Sequence, residues 1–329
     1  MRTFQYAAPK TTQQAVGLLG QNWQQAQVLA GGTDLLALMK DDVVQAQRVV
    51  NIKEIDGLGG VQHNSTGGLR LGALARLAEI ADNADVRRNY PMLAWAVDEA
   101  ASPQIRYMAT IGGNLCQRPR CWYFRNGFGL VPQHDGKNMV TDGDNRYHAI
   151  LGNEGPAKFV TPSTIAPALI AYEAKVRIVG AGGQREVELA KFYRIPQSAD
   201  EREHDLKPNE IVTEIIVPPG QNVKAAQYEV RQKQAFDWPL AVASVALWMD
   251  GNTVQKANVV LGAVAPVPWV SQEAAQALAG KPINEQTADA AAQAAVSIAK
   301  PLSRNGYKIQ LTRTAVKRAI MQAAQGGQS

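Results

Sequence analysis

The sequence predicts an α+β protein in two parts, a two-lobed unit over residues 1–220 and an α+β C-terminal domain over residues 221–329. Three observations carry this. Short apolar runs that read as buried strands end in a glycine pair twice, at Gly31-Gly32 and at Gly112-Gly113, about eighty residues apart. Pro218-Pro219-Gly220 then marks a linker, where neither a helix nor a central strand continues. Beyond it, three strand-like runs precede three alanine-rich helical stretches. At 329 residues the chain is too long for one ordinary domain and suits two.

Taken in order, Thr11 or Thr12 caps a helix whose apolar face holds Ala15, Val16, Leu18 and Leu19. Val28-Leu29-Ala30 is a strand ending at the first glycine pair, and Thr33 to Met39 continues as a helix whose N-terminus faces back to that loop. Arg48 to Ile52 is a second buried strand, closing a first lobe near residue 56. In the second lobe, residues 57–220, Leu69 to Gly72 is a strand and a helix runs through Leu77, Ile80 and Ala81. Tyr90-Pro91 opens another helix that ends before Ser102-Pro103. Ala109-Thr110-Ile111 reads as the short strand leading into the second glycine pair. Lys175 to Val179 and Arg185 to Leu189 flank Gly180-Ala181-Gly182-Gly183, a hairpin signal. Residues of about 121–160 are polar, rich in Gly and Asp and without periodicity. They read as a long inserted loop, and loops of that length are functional or contact something outside the chain. In the C-terminal domain, strands are expected at Ala225 to Lys233, Ala241 to Met249 and Thr253 to Gly262, the last two joined through Asp250-Gly251-Asn252. Helices follow near 271–279, 285–300 and 308–323.

Composition removes several function classes. Hydrophobic residues make up 46% and charged residues 19%, as in ordinary globular proteins, and no run of 18 apolar residues predicts a membrane span. The N-terminal residues lack the apolar core of a secretory signal, so a cytoplasmic location is expected; co-export to the periplasm on a partner's signal is the alternative. A net charge of +5 is small for this length, and its densest group is Arg118, Arg120 and Arg125 around Trp122, Tyr123 and Phe124. That group reads as a shield or a surface that docks on an acidic partner, not as a nucleic-acid platform, because no matching groove accompanies it. Two cysteines, Cys116 and Cys121, make neither a disulfide framework nor a zinc site, so no metal is expected in this chain. Neither a Ser-His-Asp set nor a nucleophile elbow is present, and no catalytic side chain is assigned.

Chemistry therefore rests on the glycine loops. Glycine lets backbone N–H groups approach a ligand and adopt positive φ, which builds anion-binding nests. Two such loops suit a pyrophosphate. Neither matches Gly-x-Gly-x-x-Gly or a P-loop, so a Rossmann site is not indicated. The segments Leu29-Ala30-Gly31-Gly32-Thr33-Asp34-Leu35 and Thr110-Ile111-Gly112-Gly113-Asn114 resemble the two flavin motifs of the xanthine dehydrogenase and carbon monoxide dehydrogenase family, the molybdenum hydroxylases. Leu71-Gly72-Ala73-Leu74, Leu206 to Ile215 and Leu261 to Pro268 fit the same pattern. Gln117 to Arg125 is most similar to the bacterial aldehyde oxidoreductase branch, whose flavin subunit carries an inserted loop.

The resemblance implies a two-lobed, non-Rossmann FAD-binding module of the PCMH type and a C-terminal domain of the CO dehydrogenase flavoprotein type. It implies an oxidoreductase subunit with non-covalent FAD, held by Leu29 through Leu35 and by Thr110 through Asn114. The Asp34 carboxylate is expected to cap the following helix or meet a ribose hydroxyl, since it would repel phosphate. Arg231 or Lys233 is expected beside N1 and O2 of the flavin, the other reading being charges on an edge strand. Replacing Gly32 or Gly112 by valine is expected to give folded, flavin-free protein. The partners implied are a small subunit with [2Fe–2S] clusters and a large subunit with the molybdenum cofactor, oxidising an aldehyde or N-heterocycle. The branch's four-iron cluster needs four thiolates, more than this chain holds, so it is not expected here. A flavin-free structural clamp in the same kind of complex is the alternative function.

Overall fold

The computed structural model describes residues 1–233 and 236–326. The first lobe is a small parallel sheet of β1 (Gln5–Ala7), β2 (Ala26–Leu29) and β3 (Arg48–Asn51), ordered β1-β3-β2. The helix Thr12–Leu18 covers it with Ala15 and Val16, and its cap is the Thr11 hydroxyl accepting from the Gln14 N–H. Val49 and Val50 on the central strand are both buried, as a strand covered on two faces requires. The helix Leu35–Lys40 follows β2 across the first glycine pair and buries Leu38 and Met39.

The second lobe differs from an α/β arrangement because its sheet is antiparallel throughout. It combines β4 (Val61–His63) and β5 (Leu69–Gly72) with three strands that follow the inserted segment and its small hairpin, β6 (Gln133–His134) with β7 (Lys137–Asn138). Those strands are β8 (Lys175–Gly180), β9 (Gly183–Glu188) and β10 (Glu210–Val217), in the order β4-β5-β10-β8-β9. The last strand of this lobe in chain order is thus the central one. Its Glu214 lies opposite Arg177 of β8 and pairs with both Arg177 and Arg70, so one carboxylate ties three strands. Helices Leu77–Asp82 and Pro91–Asp98 bury Ile80, Met92, Leu93 and Val97 against this sheet. The hairpin over Gly180–Gly183 forms as the sequence predicts.

Pro218-Pro219-Gly220 connects β10 to β11 (Val223–Arg231), and the Tyr90 hydroxyl fastens it by donating to the Pro218 carbonyl. With β12 (Pro239–Asp250), β13 (Thr253–Gly262) and β14 (Trp269–Val270), β11 makes an antiparallel sheet covered by the helix Tyr307–Ala324. The helix Gln272–Leu278 packs on β13. The middle helix, expected to reach residue 300, ends sooner, at Glu285–Ala294. There the chain turns so that the Lys300 N–H donates to the Ile150 carbonyl, and Pro301 follows.

The inserted segment is not a surface flap. Ile150 and Leu151 sit in the C-terminal core, and both N–H groups donate to the Val264 carbonyl. Asn145, fully buried, bonds Ser303 and the Arg304 N–H. Lys308, 1% exposed, sends its ammonium to the carbonyls of Tyr147, His148 and Ala263, so its three N–H donors meet three acceptors. Burial lowers this amine to about 7. His148 packs beside it at 3% exposure, and burial, with the Lys308 charge second, lowers its imidazole to about 4.

Two outcomes follow from this junction. Lys308→Met leaves the Tyr147 and Ala263 carbonyls without this donor and the His148 carbonyl with Asn305 alone, and is expected to cost about 3 kcal/mol in urea unfolding of the whole chain. His148 is lowered on folding, so its contribution is complete above about pH 6.5 and is lost as pH falls toward 4. His148→Gln should therefore remove about 3 kcal/mol of the stability change across that interval, read by unfolding at a series of pH values.

Candidate cofactor cleft

The first glycine loop is shaped by what its backbone meets. A Cβ on Gly31 would lie 1.9 Å from the Met108 carbonyl oxygen, so only glycine lets the two motif segments touch. Gly32 has φ of +76°, where a side chain is strained. The N–H groups of Gly31, Gly32, Thr33 and Asp34 donate to no acceptor among the described residues, and neither does the Thr33 hydroxyl. A row of free donors at a helix start is what an anionic ligand needs. Leu29 and Leu35 pack on a small core with Met39 and Val49, anchoring the loop from behind.

The second loop departs from the sequence reading. Thr110-Ile111 is not a strand end: Thr110 caps the short helix Ile111–Leu115 through its hydroxyl, which the local Ser/Thr-cap preference explains. The N–H groups of Ile111, Gly112, Gly113 and Asn114 go to Ala75 O, Ala73 O, Thr110 Oγ1 and Thr110 O, so none is left for a ligand. A Cβ on Gly112 would stand 2.9 Å from both Cβ and O of Ala73, whereas Gly113 is exposed and meets only Thr110 Oγ1 at 3.0 Å. Gly32→Val or Gly112→Val would therefore disturb the protein itself, and Gly113 is the position that opens on the cleft. Asn114 accepts from the Ser163 hydroxyl at its Oδ1, and its amide N–H groups donate to no acceptor among the described residues. Ile111 is fully buried behind the loop.

Asp34 does something the sequence reading did not foresee. Its side chain makes no helix cap. It accepts from the Arg118 N–H at 2.8 Å, from Arg120 at 2.5 Å and from Arg125 at 2.8 Å. Burial alone would raise this carboxyl, but the two guanidiniums and the N–H hold it below the usual carboxylate range. Arg118 also pairs with Glu203, and its guanidinium lies 4.8 Å over the Phe124 ring. The three arginines expected to dock on an acidic partner are thus engaged inside the molecule, binding the inserted segment to the first glycine loop.

The cleft extends on both sides of these loops. On one side it is lined by Trp23, Gln27, Ile52, Arg202 and His204, on the other by Glu99, Ile105, Asn114, Arg231 and Trp238. Thr33, Asp34, Gly113 and Gln117 line both sides and so form the saddle between them. Trp23, Arg202 and His204 carried no signal in the sequence. They come from three places in the chain, and Arg202 stacks 4.3 Å over the Trp23 ring. Arg231 lines the cleft but is clamped by Glu99 at 2.8 Å and by Glu229 at 2.5 Å. Burial raises the Glu229 carboxyl despite that arginine. Lys233 is exposed and lines neither side. Burial pushes the Cys116 thiol up to about 12 and raises that of Cys121, whose sulfur sits 3.2 Å from His148 Nε2. Among the described residues no three His, Cys, Asp or Glu side chains are grouped to hold a metal, and no helix is long and apolar enough to cross a membrane.

Comparison with known proteins agrees with this geometry along almost the whole chain. The family described as the FAD binding domain in molybdopterin dehydrogenase matches residues 2–220, and the CO dehydrogenase flavoprotein C-terminal domain matches residues 226–323. The aldehyde oxidoreductase FAD-binding subunit PaoB of Escherichia coli (strain K12) is 30% identical over 330 residues, covering 98% of this chain and 99% of that one. The carbon monoxide dehydrogenase medium chain of Hydrogenophaga pseudoflava is 28% identical over 96% of each chain. The solved carbon monoxide dehydrogenase of Hydrogenophaga pseudoflava, in a form lacking the Mo-pyranopterin moiety, matches with a TM-score of 0.77 at 28% identity, covering 98% of both chains. A glycine-lined cleft of this construction and a match over residues 2–220 together make the chain a member of the molybdopterin dehydrogenase FAD-binding family.

Proposed function

We propose that this chain is the FAD-containing electron-transfer subunit of a molybdenum hydroxylase complex, with residues 1–220 as its flavin domain and 221–329 as its C-terminal domain. The observation that carries the reading is the row of free N–H groups from Gly31 to Asp34 at the saddle of a two-sided cleft. The residues fit a dinucleotide of this shape: donors at the middle, an aromatic and polar side at Trp23, and a second side at Arg231 and Trp238. The bound flavin supplies the redox chemistry, taking electrons from one partner and releasing them to another.

The chain's own residues then have separate tasks. Gly31 to Asp34 donate to the pyrophosphate oxygens, and Thr33 adds a hydroxyl. Gly113 leaves room for the ligand to pass, and the Asn114 amide donates from the opposite wall. Trp23 and Arg202 accept the adenine end by stacking. Arg231, positioned by Glu99 and Glu229, faces the flavin ring with its charge largely offset, which limits how far it stabilises an anionic reduced ring. Lys233 contributes long-range positive charge from the rim. The partners are an iron–sulfur small subunit and a molybdenum-cofactor large subunit, and the substrate class is aldehyde or N-heterocycle. The relatives named as aldehyde oxidoreductase and xanthine dehydrogenase subunits support that choice.

Gly113→Val should give folded protein that has lost most of its flavin, measured as the ratio of flavin to protein absorbance with circular dichroism as the control. Full flavin occupancy in that variant would remove the saddle from the binding site. Asp34→Asn should cost about 2 kcal/mol of stability by leaving two part-buried guanidiniums short of their charged partner, and limited proteolysis should cut residues 117–131 sooner than in the parent chain. Unchanged proteolysis would mean that the carboxylate does not hold the segment.

A further inference from the structure

The Arg231 side of the cleft carries one acid more than its base can balance. Glu229 and Arg231 stand two apart on β11, and a bulge between Val230 and Arg231 turns the strand end. Arg231 Nε donates to Glu229 Oε2 at 2.9 Å, Nη1 to Glu99 Oε2 at 2.8 Å and Nη2 to the Glu99 carbonyl at 2.9 Å. With both carboxylates ionised, two acids and one guanidinium sum to one negative charge. Their exposure differs. The Glu229 side chain is 2% exposed and Arg231 9%, whereas Glu99, at the end of the helix Pro91–Asp98, is 39% exposed. Arg231 and Glu99 both line the cleft, and Glu229 stands behind them.

Glu229 has little else to hold its charge. Its other oxygen accepts from Gln227 Nε2 at 2.8 Å, and Gln227 accepts from the Ser244 hydroxyl at 2.6 Å. Arg231 on its own strand and Glu99 across from it are the charged groups that face it. From β12 it meets Ser244, through Gln227, and its register partner Val242. From the start of the helix Ile165–Ala171 it meets only the Thr164 carbonyl, again through Gln227. Asp34, Arg120 and Asp237 line the same side of the cleft, the first two paired with each other. Burial raises the Glu229 carboxyl, and Arg231 opposes this without reversing it. A negative charge arriving in the cleft raises it further, because like charge disfavours the ionised form. The cluster therefore holds a place where a proton can be gained while the guanidinium stays charged.

We propose that Glu229 takes up a proton when the cofactor in this cleft is reduced. The assignment rests on the flavin reading above and adds a proton site to it. Two electrons reach the oxidised ring from the iron–sulfur partner, one proton adds at N5, and negative charge is left over N1 and the C2 carbonyl. A second proton, from solvent, converts the Glu229 carboxylate to the acid. Glu99, bonded to the same guanidinium, is the side open to water. The cluster thereby goes from one negative charge to none, and Arg231 keeps only Glu99 to offset it. Reoxidation releases both electrons and both protons. Glu229 is a positioning residue in this scheme, since it acts on the ring through Arg231.

The test is potentiometric titration of the flavin absorbance in the FAD-loaded full chain, between about pH 7 and about pH 9. The slope of the midpoint potential against pH should correspond to about two protons for two electrons in the parent, and to about one in Glu229→Gln. Circular dichroism and flavin content separate this from a loss of folding or of binding. Glu99→Gln, at a partly exposed position, should keep the steeper slope but lower the pH at which it gives way to the shallower one. It does so because a negative neighbour of Glu229 is gone. Asp237→Asn should leave the slope as in the parent. Were Glu229→Gln not to fold, the parent slope and the Glu99→Gln shift decide. A one-proton slope in the parent, a two-proton slope kept in folded Glu229→Gln, or a one-proton slope at every pH in Glu99→Gln or Asp237→Asn would overturn the assignment and leave the flavin reading standing. A chain that takes up no added FAD would overturn that reading, and the assignment with it.

Discussion

The carboxylate of Asp34 is the constraint on which the rest of the cleft depends. It belongs by sequence to the first glycine loop, yet its partners lie more than eighty residues on, at Arg118, Arg120 and Arg125. Two guanidiniums and an N–H on one part-buried carboxylate are worth more than an exposed pair, because the surroundings screen them less. Holding them there fixes where the inserted segment begins, and hence where Trp122 and His148 stand. Pairing the Asp34 charge with these arginines also draws its carboxylate toward the inserted segment and offsets it beside the N–H row that precedes the helix. One residue thus serves both as an anchor and as a way of keeping an acidic group beside an anion site.

The inserted segment in turn joins the two parts of the chain. Its first half is tied to the flavin lobe by Asp34, and its second half to the C-terminal domain by Asn145, Ile150 and the carbonyl cage around Lys308. A stretch that reads as polar loop is therefore held at both ends by buried contacts. This arrangement explains how a segment with little secondary structure is held in place. Its polar groups find partners in the neighbouring domains and not in a ladder or a helix of its own. The C-terminal core beside it is rich in alanine and small apolar residues, so helices and sheet approach closely there.

The two glycine pairs look alike and work differently. Gly31-Gly32 leaves its N–H groups free because the chain leaves β2 and enters a helix without a side-chain cap. Gly112-Gly113 has its N–H groups taken by Ala73 and Thr110, because a threonine precedes it and caps the turn. The first pair supplies donors and the second supplies closeness and an amide side chain. The asymmetry extends across the cleft, where Arg231 is neutralised by two glutamates on one side and Arg202 stacks on Trp23 on the other.

Local patterns determined much of this protein. Cap residues, the Gly180–Gly183 hairpin, the paired glycines and the strand–strand–strand–helix order after Gly220 are readable because they depend on neighbours within a few residues. The family itself was legible for the same reason, since its motifs are short and contiguous. What only the tertiary structure decided involves partners far apart in sequence. The central place of β10, the antiparallel second sheet, the Asp34 cluster and the loss of the second loop's donors all fall in this class. So do Trp23, Arg202 and His204, which meet in one wall although no spacing links them. Periodicity and turn chemistry report the forces acting along the chain, whereas a buried charge acquires its role from groups that only folding brings within hydrogen-bond reach.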